Sequence, residues 1–167
     1  MDNLKGLLGR GTGGGRYMEL RSMALHVDPA QIEVPDGEWP GASVALMEMP
    51  VGDATATIVA VADGTVSLYT STGGGTVGAG EHLSARQAGQ RFLRVAAESA
   101  PWMTPTTDFP LPSEGNVRFH VRTPEGDVTA EVSEQELRGR RDLLAPLYLA
   151  GQDVITEIRM ISEGAGS

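Results

Sequence analysis

Residues 63–84, DGTVSLYTSTGGGTVGAGEHLS, organise the rest of the chain around them. Asp63-Gly64 predicts a tight hairpin turn, because a type I′ turn needs positive φ at both central positions. A β-run over residues 65–71 follows, and a glycine-dense bend then leads into the start of a helix. If the protein has a functional site, this stretch is the best candidate for its location.

An uncharged run over residues 54–62 precedes the turn, as expected of a central strand that is covered on both faces. Residues 43–49 predict a strand before it. Residues 16–26 are rich in helix formers and predict a helix whose apolar stripe comprises Met18, Leu20, Met23 and Ala24. We expect the methionines at 18, 23, 47 and 49 to fill space in the core. The type I′ turn would pair Val61 with Val66, Val59 with Leu68, and Ile58 with Tyr69.

A second helix is predicted after the bend. Ser84 and Gln87 fit a capping box, in which the Ser84 side chain accepts a hydrogen bond from the backbone N–H of residue 87. Pro101 ends this helix, and residues 101–115 predict an extended connection that Trp102 and Phe109 attach to the core. The predicted buried face comprises Ala88, Phe92, Val95, Ala96 and Ser99, and the polar residues Arg86, Gln90, Arg94 and Glu98 lie largely away from it.

The last third of the chain predicts a hairpin and a closing helix. Residues 117–122 alternate strictly between apolar and polar side chains, and residues 124–127 turn the chain. The simplest register pairs Phe119 with Val132 and His120 with Glu131. A second capping box begins at Ser133. Pro146 then opens a helix whose apolar stripe comprises Leu147, Val154, Ile155, Ile158 and Ile161.

The predicted order is helix, three strands, helix, two strands, helix. This order indicates an α+β domain with one antiparallel sheet of about five strands flanked by helices. The 167 residues suit a single domain, which we expect over residues 16–162, with a flexible glycine-rich arm over residues 1–15 and a frayed tail over residues 163–167. The element order also resembles the profilin-like and roadblock-type layouts.

Three segments resemble a group of uncharacterised bacterial proteins that have no established activity. They are Asp63–His82, Phe109-Pro110-Leu111-Pro112, and Ala150-Gly151-Gln152-Asp153-Val154-Ile155-Thr156. The resemblance covers most of residues 16–161. It implies a shared fold and no particular chemistry.

The composition excludes several classes of function. A formal net charge of −9 repels a phosphate backbone, which argues against a nucleic-acid partner. The chain has no cysteine, so thiol nucleophiles and cysteine-bearing metal sites are absent. No apolar run approaches the roughly 18 residues that span a membrane, and the N-terminus lacks the apolar stretch of a signal peptide. We therefore expect a cytoplasmic protein with no membrane partner, no metal and no cofactor.

The spacing Gly73-x-Gly75-x-x-Gly78 matches the dinucleotide-binding fingerprint, in which glycines let backbone amides approach a phosphate at a helix N-terminus. That fingerprint also needs a parallel second strand with an acid about 20 residues on. Here that count reaches Glu98, inside the predicted helix, and no Gly-Lys-Ser/Thr is present. A nucleotide, another anion or partner, and plain backbone packing all stay open as explanations.

Other polar groups flank the glycines. Ser71 and Thr72 precede them, but no Gly-x-Ser-x-Gly elbow is present. His82 beside Glu81 suits acid–base chemistry near neutral pH, and it equally suits a structural role at a helix terminus. We identify no catalytic or metal-ligating residue. The candidate ligand-binding residues are Ser71, Thr72, Gly73, Gly74, Gly75, Gly78, Gly80, Glu81 and His82.

A charged strand face offers a second candidate surface. Arg118, His120 and Arg122 share this face, and the preceding helix carries further arginines at 86, 91 and 94. The face suits an anion or an acidic partner. The alternative, which we favour, is a solvated face paired with Glu131 and other acids. A three-histidine metal site would require His26, His82 and His120 to converge from different elements.

The leading hypothesis is a small, cytoplasmic, non-catalytic module for binding or assembly that self-associates as a homodimer. It rests on the lack of a catalytic constellation and on strands that are apolar on both faces. The alternative is a ligand-binding domain or an enzyme that uses the bend Gly73–His82.

Overall fold

A computed structural model describes residues 13–35, 39–76 and 78–165. It confirms the predicted α+β class, with one antiparallel sheet and helices packed on it. Most of the predicted N-terminal arm, residues 1–12, lies outside the described residues, and Gly13–Gly15 already belong to the first helix. The last helix continues to Ala165, into the predicted tail, and residues 166–167 lie outside the described residues.

Four α-helices and seven strands form the described part of the chain. The helices are α1 (Gly13–His26), α2 (Leu83–Ser99), α3 (Glu134–Arg138) and α4 (Ala145–Ala165). The strands are β1 (Val44–Val51), β2 (Ala54–Val61), β3 (Val66–Thr70), β4 (Gly75–Thr76), β5 (Thr104–Pro105), β6 (Asn116–Thr123) and β7 (Gly126–Ser133). Among these helices none is long and apolar enough to cross a bilayer.

The strand order across the sheet is β4-β3-β2-β1-β6-β7-β5, and all neighbouring pairs are antiparallel. The five longer strands are those that the sequence predicts. The two-residue strands β4 and β5 lie at the two edges. β1 occupies the centre because it pairs with β2 on one side and with β6 on the other, which joins the two hairpins into one sheet.

Helices of the same chain bury both faces of the sheet. α2 and α4 cover one face, where Met47 and Phe119 are fully buried. α1 covers the other face, where Leu20 belongs to the same apolar cluster as Leu46 and Val59. β2 is therefore covered on both faces, as its uncharged sequence predicts.

The predicted register of β2 against β3 is wrong by one residue. Side chains alternate between the two faces of a strand, so a one-residue shift moves every side chain of β3 to the opposite face. Ser67 and Tyr69 consequently lie on the face that α1 covers. The observed pairs are Ala60 with Val66, Val59 with Ser67, Ile58 with Leu68, and Thr57 with Tyr69.

The turn at Asp63-Gly64 explains this shift. The Gly64 N–H donates to Val61 O over 3.0 Å, and Gly64 has a φ of 99°. The turn therefore has a third loop residue, a glycine in a bulge, instead of the two residues of a type I′ turn. The Thr65 N–H donates to Asp63 Oδ1 over 2.8 Å and supports this geometry.

The second hairpin is shifted by two residues from its predicted register. The strands continue until Thr123 lies opposite Gly126, so only Pro124-Glu125 remains in the turn. A two-residue shift keeps each side chain on its face, and the predicted alternation is confirmed. In place of the predicted pairs, Phe119 lies opposite Ala130 and His120 lies opposite Thr129.

The start of α2 also differs from the prediction. The helix begins at Leu83, and the Arg86 N–H donates to the carbonyl of His82, which is the N-terminal cap residue. Ser84 is therefore inside the first turn, and the predicted capping box is wrong. Gln90 is buried and not turned to solvent. The stop before Pro101 and the capping role of Ser133 at α3 are confirmed.

The methionines of α1 and Trp102 do not make the core contacts that the sequence predicts. Met18 and Met23 are about half exposed, so α1 does not use a methionine stripe. Trp102 is exposed, whereas Phe109 packs against the cluster beneath α1. The side chains of α1 that are buried recur at helical spacing: Tyr17, Leu20, Arg21 and Leu25.

Candidate functional site

Two glycines of the bend between β3 and α2 lie too close to neighbouring atoms to be replaced by a residue with a side chain. A Cβ on Gly75 would overlap Leu68 O and lie 2.7 Å from Tyr69 Cα. A Cβ on Gly80 would overlap the carbonyl of Gly64. Gly75 thus lets β4 pair with β3, and Gly80 lets the bend pack on the β2–β3 turn.

Two further glycines of the bend need backbone freedom. Gly73 has a φ of 103°, and Gly78 has a φ of 78°, where glycine meets no steric penalty. Gly74 has an ordinary backbone, and a Cβ there would have only a normal contact, 3.6 Å from Thr70 Oγ1. Packing and turn geometry therefore account for Gly73, Gly75, Gly78 and Gly80 without a ligand.

The polar candidates of the bend are spread along it. Ser71 Oγ accepts a hydrogen bond from the Thr55 N–H over 2.9 Å at the open end of the β2–β3 hairpin. Thr72 Oγ1 lies 2.9 Å from Thr70 Oγ1. Glu81 and His82 are exposed, in the short turn before α2 and at its N-terminal cap.

The charged face of β6 is not the solvated surface that we favour from the sequence. His120 has no exposed surface, because α1 and the loop through Phe109 and Pro110 cover it. Glu131 does pair with this face, and its partner is Arg118 at 3.3 Å. Arg122 contacts Asp127 at 3.3 Å and donates to Val27 O.

Beneath α1, a carboxylate that is not among the predicted site residues lies at the centre of the sheet. Glu48 of β1 is completely buried. Arg21 of α1 donates to it twice, from Nε to Oε2 over 2.7 Å and from Nη2 to Oε1 over 2.8 Å. Thr57 Oγ1 donates to Oε2 over 2.8 Å, and the Tyr17 hydroxyl lies 3.2 Å from the same oxygen.

His120 completes this polar cluster. Its Nε2 lies 3.3 Å from Glu48 Oε1 and 3.1 Å from Pro110 O. Its Nδ1 lies 3.0 Å from Thr129 Oγ1. Arg21 Nη2 also donates to Phe109 O, so the cluster attaches both α1 and the 106–112 loop to the sheet.

The electrostatics of the cluster favour a permanent ion pair. Burial alone would raise the pKa of Glu48, but hydrogen bonds from His120 and Arg21 and the charge of Arg21 lower it to about 2. Burial, reinforced by the negative charge of Glu48, raises the pKa of Tyr17 and of Tyr69 above its usual range. Both carboxylate oxygens are hydrogen-bonded and shielded from solvent, so the cluster holds α1 in place.

A cavity of about 240 Å³ lies beside this cluster, between α1 and strands β2 and β3. α1 contributes Leu20, Met23 and Ala24, and the segment after it contributes Val27, Gln31 and Ile32. The sheet and its turn contribute Val59, Val61, Asp63, Ser67 and Tyr69. The walls are mainly apolar, as in most binding sites for small molecules.

Ser67 is the unusual residue of this cavity. It is 3% exposed, and its Oγ has no hydrogen-bond partner among the described residues. A buried polar atom without a partner costs about 1–3 kcal/mol, so native structures rarely retain one without a reason. Ser67 reaches the cavity only because the glycine bulge shifts the β3 register.

The sequence contains few indications of the polar cluster around Glu48 and of the cavity beside it. Glu48 is the one charged residue in the apolar run 43–49, at a position that alternation assigns to a buried face. Arg21 occurs among helix formers, and one cannot tell from the chain alone that it reaches Glu48. The cavity had no signal, because it depends on the β3 register and on where α1 crosses the sheet.

No group of three or more His, Asp or Glu side chains arranged to hold a metal occurs in the described ranges. His26 and His120 both contact the ring of Phe109, at centroid distances of 5.8 and 5.3 Å. His82 lies apart from them at the start of α2. Comparison of the chain with protein-family models, with curated proteins and with solved structures gives no match. Functional inference therefore depends on the geometry of this chain.

Proposed function

We propose that the chain is a non-catalytic, cytoplasmic binding module whose ligand occupies the cavity beneath α1. The observation that carries this proposal is the cavity itself, with the unpaired hydroxyl of Ser67 in a mainly apolar wall. A ligand with an apolar body and one hydrogen-bonding group complements that wall. Such a ligand would satisfy Ser67 and bury its own apolar surface, which is the main source of affinity in sites of this kind.

The volume limits the size of the ligand. An apolar cavity of about 150 Å³ is enough to bind benzene, and drug-sized ligands occupy about 300–1,000 Å³. At about 240 Å³ the cavity suits a molecule larger than benzene and smaller than a typical drug. A dinucleotide does not fit.

The charges around the cavity limit the chemistry of the ligand. Its wall contains Asp63 and no Lys, Arg or His. The nearest cation, Arg21, is already paired with Glu48. An anionic ligand would lose its hydration without gaining a positive partner, so the cavity suits a neutral or cationic headgroup.

Three eight-carbon probes that differ only in their headgroup test this proposal. We expect 1-octanol and octylamine to raise the Tm of the protein progressively as their concentration increases, and octanoate to leave it unchanged, because a ligand of the folded state stabilises that state. Inorganic phosphate and ATP in the same assay test the alternative site at the bend Gly73–His82. A shift with ATP or phosphate alone would favour that alternative.

Two variants locate the binding site. Ala24→Phe places a ring in the cavity and should abolish the response to octanol, whereas Ser22→Phe, on the exposed side of α1, should preserve it. Ser67→Ala should raise the Tm of the free protein while weakening octanol binding about fivefold, or about 1 kcal/mol. Equal octanol binding by Ala24→Phe and the unmodified chain would contradict the proposed site.

We also propose that the chain self-associates as a homodimer. The strands that are apolar on both faces no longer support this proposal, because α1, α2 and α4 cover both faces within one chain. Its support is instead an exposed apolar surface around Trp102 and Leu143. Light scattering over a concentration series should report a dimer, and a monomer at several hundred micromolar would contradict it.

A further inference from the structure

A groove lies where the C-terminal end of α2 meets the N-terminal end of α4, on the sheet face away from α1. Its volume is about 500 Å³. Three large apolar side chains line it and remain exposed: Trp102 by 58%, Leu143 by 65% and Leu149 by 39%. Exposed apolar side chains that cluster in this way mark interaction sites, and tryptophan is among the residues that dominate binding energy.

Two charged side chains of the groove have no partner within the described part of the chain. Arg140 and Glu98 both line it, yet the side chain of neither forms an ion pair or a hydrogen bond with any described residue, including the other. Asp142, the third charged residue, already accepts a hydrogen bond from the Leu144 N–H over 2.8 Å. The apolar surface is thus bordered by one available cation and one available anion.

The backbone of Arg140 is strained. Its φ is 57°, and it is the only residue other than glycine with positive φ in the described ranges. It follows α3 at the position where glycine normally ends a helix, and the Arg141 N–H donates to Glu136 O across it. Strained residues concentrate at sites where a side chain has a role.

We propose that the groove is the interface of a two-fold dimer, in which Arg140 of one copy pairs with Glu98 of the other copy. In a two-fold interface the same patch meets itself, so one available cation and one available anion form two ion pairs. A second copy also supplies the apolar surface that covers Trp102 and Leu143.

This inference rests on the self-association proposed above and is independent of the cavity beneath α1. Light scattering and sedimentation at 0.15 M salt measure the dimerisation constant of the unmodified chain and of each variant. Arg140→Glu and Glu98→Arg should each weaken dimerisation at least tenfold, because each places two like charges opposite one another. The combined variant should regain dimerisation to within about threefold of the unmodified chain. Circular dichroism establishes that each variant is folded.

Arg159→Glu is the matched control, because Arg159 is an exposed arginine of α4 outside the groove and without an ion pair among the described residues. It should leave dimerisation unchanged. A dimer that both single reversals leave intact, or that the combined variant does not restore, would place the interface elsewhere. A chain that is monomeric without substitution would overturn self-association together with this interface, and the octanol assay would be unaffected.

Discussion

Arg21 of α1 and Glu48 of β1 form a two-point ion pair, 2.7 and 2.8 Å long, that is almost completely shielded from solvent. It connects α1 to the central strand of the sheet. Because the cavity lies between that helix and the sheet, the pair also sets the roof of the proposed binding site.

The first prediction concerns the stability of this pair. Arg21→Met leaves the Glu48 carboxylate buried without its cation, and we expect the free energy of unfolding to fall by about 3–5 kcal/mol in urea titrations. Arg21→Met combined with Glu48→Leu should lose less, because no charge is left buried. Arg16→Met on the same helix, whose partner Glu19 is exposed, should lose less than about 1 kcal/mol. Equal losses for Arg16 and Arg21 would contradict the role of the pair.

The second prediction concerns pH. The pKa of Glu48 is about 2 in the folded chain and 4.5 in its unperturbed state, so the folded carboxylate releases its proton more readily. Its stabilising contribution is therefore complete above about pH 4.5 and declines as the pH falls towards 2. Between pH 5 and pH 3 the contribution should fall by about 2 kcal/mol. Glu48→Gln should remove this part of the pH dependence, which urea titrations at both pH values measure. An unchanged slope in Glu48→Gln would contradict the lowered pKa.

The third prediction concerns the glycine-rich bend. Gly75→Val should lower the free energy of unfolding by more than about 1 kcal/mol, since its Cβ would overlap Leu68 O and its φ is 151°. Gly74→Ala is the matched control, because a Cβ on Gly74 would meet no clash and Gly74 does not have a positive φ. It should change stability by less than about half as much. Similar melting temperatures for the two variants would show that β4 does not need a glycine at residue 75.

The fourth prediction concerns the strain at Arg140. Arg140→Gly should raise the free energy of unfolding by about 1 kcal/mol at low micromolar concentration, because a left-handed residue costs about 1–2 kcal/mol and glycine avoids part of that cost. Arg140→Ala keeps the strain and should give no such gain. The same Arg140→Gly variant should dimerise more weakly than the unmodified chain. A stability gain with unchanged dimerisation would leave Arg140 strained without the proposed interface role.

Hydrophobic periodicity was sufficient to predict most elements of the fold. The stripe of α4, the uncharged β2 and the alternation of β6 all follow from local burial patterns, which depend on residues a few positions apart. Turn geometry was less predictable. Asp63-Gly64 is compatible with two loop lengths, and the choice between them moved Ser67 from one face of β3 to the other.

The α+β class, the positions of the five longer strands and the burial of β2 on both faces are properties of the local pattern, because each depends on spacing and composition within about ten residues. The pairing of β1 with β6 and the burial of Glu48 beneath Arg21 join residues that are far apart in the chain, by 27 positions for Arg21 and Glu48, and the cavity beside Ser67 depends on where α1 crosses the sheet. Such contacts are selected by the packing of whole elements against one another, which no local pattern encodes. The glycine-rich bend is predictable as a close-packed connection, and the proposed binding site is decided by the tertiary structure.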